Sequence, residues 1–131
     1  MQKDGDRAPL AGVRVLDFSI MVAGPYCARL LADVGAEVIK IEPPEGDDMR
    51  LRTPLRDGHS TYFGQLNAGK RSLALDLKSV EGHRAMLDLI RGADVLITNN
   101  RPGALRRLGL DQKARLAKEK AAAAADGNRE K

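Results

Sequence analysis

A chain of 131 residues has room for one small domain. Its apolar share of 43% is that of a globular protein, but two Tyr, two Phe and no Trp leave any core to aliphatic side chains. The net charge of +4 excludes little until it is divided: residues 112–131 hold six Lys/Arg against three Asp/Glu, whereas residues 1–111 hold sixteen against fifteen, which argues against a basic face for nucleic acid.

Residues 1–9 are polar and read as frayed. Val13 to Phe18 (VRVLDF) is a short β-branched and apolar run, expected as a buried strand. Gly24-Pro25 opens a helix over 25–34, because proline suits a first helical turn. Ala28, Leu31 and Ala32 share one face of it, and Gly35 supplies the C-terminal cap. Glu37 to Glu42 (EVIKIE) alternates as a second strand and Pro43-Pro44 ends it. Strand, helix and strand within about 30 residues imply a parallel crossover.

Residues 45–60 read as a long polar loop, and 60–66 as a short helix. Ser72 to Leu77 (SLALDL) alternates as a third strand. Ser79 is a candidate N-cap for a helix with Met86, Leu87, Leu89 and Ile90 at helical spacing, closed by Gly92. Ala93 to Ile97 (ADVLI) reads as a fourth strand, 99–103 as a loop and 103–108 as a short helix. The pattern gives an α/β fold with an open, doubly wound parallel sheet, whose ligands sit at the carboxyl ends of the strands. Those ends are 19–24, 42–46, 75–78 and 98–103. Residues 112–125 (QKARLAKEKAAAAA) are strong helix formers without an apolar stripe, expected as a solvated helical or disordered tail separate from a body at 1–111.

The single cysteine, Cys27, excludes an internal disulfide and reads as a small buried hydrophobe beside Ala28 rather than a nucleophile. One cysteine and no apolar leader fit a cytoplasmic protein, and no apolar run is long enough to span a membrane. His59 and His83 lack partners at metal-ligand or triad spacing, so no metal is expected. Asp17 and Asp33 are read as strand and helix termini rather than catalytic carboxylates. Lys70-Arg71 is read as a solvated basic turn before a strand. No G-x-G-x-x-G follows the first strand, which disfavours a dinucleotide-binding domain.

Four stretches, in order, carry a resemblance. Pro9–Arg50 (PLAGVRVLDFSIMVAGPYCARLLADVGAEVIKIEPPEGDDMR) is similar to the opening signature of class III CoA-transferases, the group of formyl-CoA transferase, carnitine CoA-transferase and α-methylacyl-CoA racemase. Tyr62 to Leu77 (YFGQLNAGKRSLALDL) resembles that family's N-x-x-K-R-S segment. Lys78 to Leu96 opens on K-x-x-E-G and ends on A-D-V-L. Asn99 to Gly103 (NNRPG) is close to its E-N-F-R-P-G, with an LGL element at 108–110.

The resemblance covers about 100 residues and ends near Asp111. It implies a Rossmann-like open parallel sheet, here the incomplete N-terminal portion of the family's large domain, and a CoA thioester ligand. It implies transfer of CoA from an acyl-CoA to a carboxylic acid through a catalytic aspartate, with acyl-CoA and CoA as substrates, no permanently bound cofactor, and interlocked homodimers. The family's catalytic aspartate falls beyond residue 131, so we expect no catalytic residue here and a chain inactive by itself. An acyl-CoA racemase fragment, or a non-catalytic CoA-fold module pairing with a separate C-terminal half, is the alternative. Carried over residue by residue, the family's CoA contacts fall on Val22, Ala23, Leu75, Lys78, Asn99, Asn100, Arg101 and Arg107. Val22 stands where formyl-CoA transferase has glutamine, Asn100 where phenylalanine is usual, and Pro43 where an arginine is expected.

Overall fold

In the computed structural model of the chain the described residues are 8–111, so the expected helical tail lies outside them. The chain divides into two compact units, Met1–Asn99 and Asn100–Lys131.

The first unit contains β1 (Arg14–Asp17), α1 (Ala23–Asp33), β2 (Glu37–Glu42), a 3-10 turn (Asp48–Leu51), β3 (Leu55–Arg56), β4 (His59–Ser60), α2 (Thr61–Asn67), β5 (Arg71–Ala74), α3 (Val80–Arg91) and β6 (Val95–Ile97). Four strands form one sheet in the order β5-β2-β1-β6, and every pairing in it is parallel. Counted along the chain, these strands stand in the order 3-2-1-4, which opens a doubly wound sheet. β1 is central: Val15 faces Val38 and Val95 across its two neighbours, and Leu16 faces Ile39 and Leu96.

Side-chain alternation sends Val15 and Val38 to one face, where they form a buried cluster with Ala28 and Ala36, flanked by Leu31, Ala32 and Ile97. That places α1 over this face. The crossover β5-α3-β6 runs back across the sheet in the opposite sense to β1-α1-β2. Right-handed crossovers therefore put α3 on the other face. Its buried Met86 and Ile90 are the stripe expected from the sequence. Val15, Leu16, Val38 and Met86 are 0–1% exposed, and burial of such a side chain contributes about 1.5–3 kcal/mol.

The helix ends follow their residues. Gly35 takes φ +100°, so its N–H and that of Ala36 turn back onto the Ala32 and Leu31 carbonyls at 3.0 Å each. The Ser79 hydroxyl accepts the Gly82 N–H at 2.9 Å, and Gly92 donates to the Asp88 and Leu89 carbonyls.

Several expectations change. Residues 45–60 are not one loop: Asp47 caps the 3-10 turn through the Met49 N–H at 2.9 Å, and β3 and β4 form an antiparallel hairpin. β5 stops at Ala74 because the Leu75 N–H still reaches the Glu42 carbonyl, at 2.8 Å, but Asp76 then turns the chain. It is an edge strand with all four residues exposed. Cys27 is exposed, not buried, because the buried face of α1 runs through Gly24, Pro25 and Ala28 while Cys27 falls beside exposed Tyr26 and Leu30. The alternation in β2 does not mark a wet face either: Lys40 and Glu42 are 1% and 3% exposed.

In the second unit, α4 (Pro102–Arg107) begins on a proline, carries Arg106 and Arg107 in its last turn, and ends as Gly109 takes φ +62°. No helix among the described residues is long and apolar enough to cross a membrane.

Candidate functional site

The carboxyl ends of β1 and β2 deliver two loops that wall a cavity of about 220 Å3. Phe18, Ser19, Ile20 and Met21 come from the first loop; Pro43, Glu45, Gly46, Asp47 and Asp48 come from the second, with Ile41 between them. The walls are largely apolar and the rim is acidic. An uncharged, hydrogen-bond-donating group suits such a lining better than a phosphate does.

Both walls are anchored from below by buried ions. Lys40 donates from Nζ to the Ser19 carbonyl at 3.1 Å and to Asp47 Oδ2 at 2.9 Å, so one cation ties the two loops together. Lys70, whose side chain is 2% exposed, places Nζ at 2.7 Å from each of Asp17 Oδ2, the Pro25 carbonyl and Asn67 Oδ1. All three ammonium donors are thereby satisfied. Burial pushes the Lys70 ammonium below its ordinary range, and the Asp17 carboxylate partly offsets this. Asp17 Oδ1 also accepts the Ser19 N–H at 3.2 Å and the Ser19 hydroxyl. The solvated reading of Lys70 is therefore corrected, whereas Arg71 is 75% exposed and pairs with Glu37 at 2.7 Å.

Glu42 binds the second loop. Its carboxylate takes Nε and a terminal nitrogen of Arg50 at 2.7 Å each, the Ser72 hydroxyl at 2.7 Å and the Asp47 N–H at 3.0 Å. Arg50 in turn stacks on Phe63, 4.2 Å from the ring centroid. Burial disfavours the Glu42 anion, but the Arg50, Ser72 and Asp47 hydrogen bonds outweigh it and hold the carboxyl down at about 2. The folded value lies below the ordinary 4.5, so this stabilisation is fully present above 4.5 and is lost as pH falls toward 2. Urea midpoints measured between about pH 5 and pH 2.5 will fall, and Glu42→Gln will remove part of that slope.

Among the residues expected to contact CoA, three come together. Val22 is the N-cap of α1 and makes no side-chain cap; Ala23 is the first helical residue, and both are exposed. Asn99, just past β6, binds the same loop through both amide atoms: Oδ1 accepts the Ile20 N–H at 2.9 Å and Nδ2 donates to the Ile20 carbonyl at 2.6 Å. Leu75 and Lys78 are elsewhere. They follow β5, on the opposite edge from β6, three strand spacings or about 14 Å across the sheet. Leu75 is half-buried; Lys78 is exposed and its N–H meets Asp76 Oδ1 at 3.0 Å. Asn100, Arg101 and Arg107 belong to the second unit, where both arginines are exposed and the Arg101 carbonyl accepts the Ala104 N–H at 2.8 Å. Among the described residues no cluster of His, Cys, Asp and Glu could hold a metal.

Lys40, Glu42, Asp47, Arg50 and Lys70 were not expected at the site. For Lys40 and Glu42 the one signal in the sequence is the charge inside EVIKIE, at positions a solvated face would also fill; Asp47, Arg50 and Lys70 stand in polar stretches that read as solvated.

The comparisons with known proteins agree with this architecture. The profile of CoA-transferase family III matches residues 10–121. Formyl-CoA:oxalate CoA-transferase of Escherichia coli O6:H1 is 46% identical over 104 residues, covering 77% of this chain and 25% of that protein. Succinyl-CoA:mesaconate CoA-transferase of Haloarcula hispanica is 43% identical over 103 residues, covering 75% of this chain and 26% of that protein. A CAIB/BAIF family protein from Brucella suis superposes with a TM-score of 0.79 at 39% identity, covering 85% of this chain and 31% of that one. The chain thus spans about a quarter of the length of the curated relatives it matches. With the profile match covering most of its length, and the parallel sheet and strand-end loops in place, the chain belongs to CoA-transferase family III.

Proposed function

We propose that this chain supplies the strand-end loops of a CoA-thioester site in an enzyme that moves CoA between an acyl-CoA and a carboxylic acid. The observation that carries the reading is the loop at the carboxyl end of the central strand, clamped at Ile20 and leading to Val22 and Ala23, two positions the family resemblance gives to CoA. Backbone N–H groups at the start of α1, left uncapped by Val22, suit a polar or anionic part of the ligand. The apolar cavity with its acidic rim suits the adenine base, a flat uncharged ring whose amino group donates to a carboxylate. In the first unit the cationic donor for a phosphate is Lys78.

The nucleophile is not among the groups described. Asp17 is fully buried and paired, so it has no access to a thioester. The resemblance places the family's aspartate beyond residue 131, and the interlocked dimer belongs to the same reading. The edge strands β5 and β6 expose Leu73 and Val95, which favours further protein covering those edges, from a second copy or a separate C-terminal half.

Equilibrium dialysis of the full chain against CoA, acetyl-CoA and NAD tests the reading. We expect CoA and acetyl-CoA to be retained weakly, NAD not at all, and no exchange of CoA between any acyl-CoA and carboxylate pair. Retention of NAD without CoA would overturn the assignment, and turnover by the chain alone would overturn its inactivity.

A further inference from the structure

We propose that Asn99 is a positioning residue, whose side chain holds the loop after β1 in a strained conformation instead of contacting the ligand. The proposal rests on the CoA-site reading above and assigns Asn99 a different job within it.

Both polar atoms of the Asn99 amide are directed at one residue, the N–H and carbonyl of Ile20 in two successive peptide units, at 2.9 and 2.6 Å. An amide has one donor group and one acceptor group, and here each is matched to its complement on the same residue. The residue after the clamp, Met21, takes φ +63°, the left-handed region that side chains other than glycine and asparagine avoid. A strained backbone persists where its surroundings over-determine it. Two anchors do so here. Asp17 fixes Ser19 through its N–H and hydroxyl, and Asn99 fixes Ile20 on both sides of the backbone. With 19 and 20 pinned, the chain reaches Val22 at the start of α1 through a left-handed step at 21. The neighbouring Gly24 leaves room for the arrangement: a Cβ on it would stand 3.4 Å from Asn99 Cγ and deep inside the Ser19 side chain.

The test is a double-mutant cycle on the full chain, with Asn99→Ala and Met21→Gly singly and together, read by CoA binding and by amide hydrogen exchange. A glycine at 21 removes the strain that the clamp must hold, whereas it does nothing to a side chain that touches CoA directly. We expect Asn99→Ala to weaken CoA binding about tenfold in the Met21 background and only about two- to threefold in the Met21→Gly background. Exchange at the Ile20 amide should rise in Asn99→Ala while the amides of Val15 and Val38 stay protected, which separates a loosened loop from an unfolded chain. Equal losses of affinity in both backgrounds would make Asn99 a direct ligand and overturn the proposal. Unchanged exchange at Ile20 would overturn it as well. If the wild-type chain binds no CoA, the CoA-site reading fails, and exchange at the Ile20 amide still decides whether Asn99 holds the loop.

Discussion

Lys70→Ala will cost about 3–5 kcal/mol of folding free energy, because it leaves the Asp17 carboxylate buried without its cation. The pair is 2% and 0% exposed and its oxygen and nitrogen are 2.7 Å apart. The same nitrogen also holds the Pro25 carbonyl in α1 and Asn67 in α2, so one substitution unties the end of β1, the start of α1 and the end of α2. A small domain has about 5–15 kcal/mol in all, and a loss of this size leaves the variant close to its unfolding midpoint at room temperature. Urea denaturation followed by circular dichroism measures it. The control is the double replacement Asp17→Leu with Lys70→Met. It removes both charges together and will recover most of the loss, since an apolar pair of similar volume substitutes well for a buried ion pair. If Lys70→Ala lowers stability by less than about 1 kcal/mol, the pair is solvated and the buried network is not what anchors the loop.

Gly24→Ala has the second largest expected effect, and two principles oppose each other in it. Gly24 lies within α1, where alanine is favoured over glycine by about 1 kcal/mol. Against this, the new methyl would overlap the Ser19 side chain and press on Asn99. Ser19 cannot step aside, because its N–H and hydroxyl both bind Asp17, and the Asp17 carboxylate is itself held by Lys70. Overpacking of a fixed neighbour costs about 1–3 kcal/mol, and here the upper end applies. The net is a destabilisation of about 2 kcal/mol, opposite in sign to helix propensity. CoA binding should fall at least tenfold, since the displaced loop is the one carrying Val22. A stabilised Gly24→Ala variant with unaltered CoA binding would show that the loop moves freely.

How much could be read in advance depended on how local the cause was. Glu37 to Glu42 is a strand because β-branched residues alternate there and Pro43-Pro44 stops it, and both signals lie within eight residues. Ser79 and Gly35 announced helix ends through their own chemistry. The hairpin of β3 and β4 was missed because two-residue strands carry no period. β5 was read three residues too long because Leu75 and Leu77 continue the alternation past the point where Asp76 turns the chain. Cys27 was misplaced because one helix turn cannot say which side the sheet will cover.

The candidate site divides the same way. Val22, Ala23 and Asn99 followed from motif resemblance, and the fold brings them together at one loop. Lys78 also followed from it, and lies at the far edge of the sheet. Burial of Lys70 had no local sign at all, for its partner is 53 residues away and nothing beside it in the chain is acidic.

The strand order carries a consequence for how the chain assembles. β1 is central, yet its two neighbours arrive at different times: β2 follows within about one crossover, whereas the Arg14 N–H meets the Asp94 carboxylate of a residue 80 positions further on. Closing the longer loop is the greater entropic cost, so the β1-α1-β2 unit can form early while the other edge of β1 waits. During synthesis that edge stays open until Ile97 has emerged. The most deeply packed strand of the finished sheet is therefore half-exposed while about 80 further residues are added, and the nascent protein is open to mispairing at the place where the folded one is well protected.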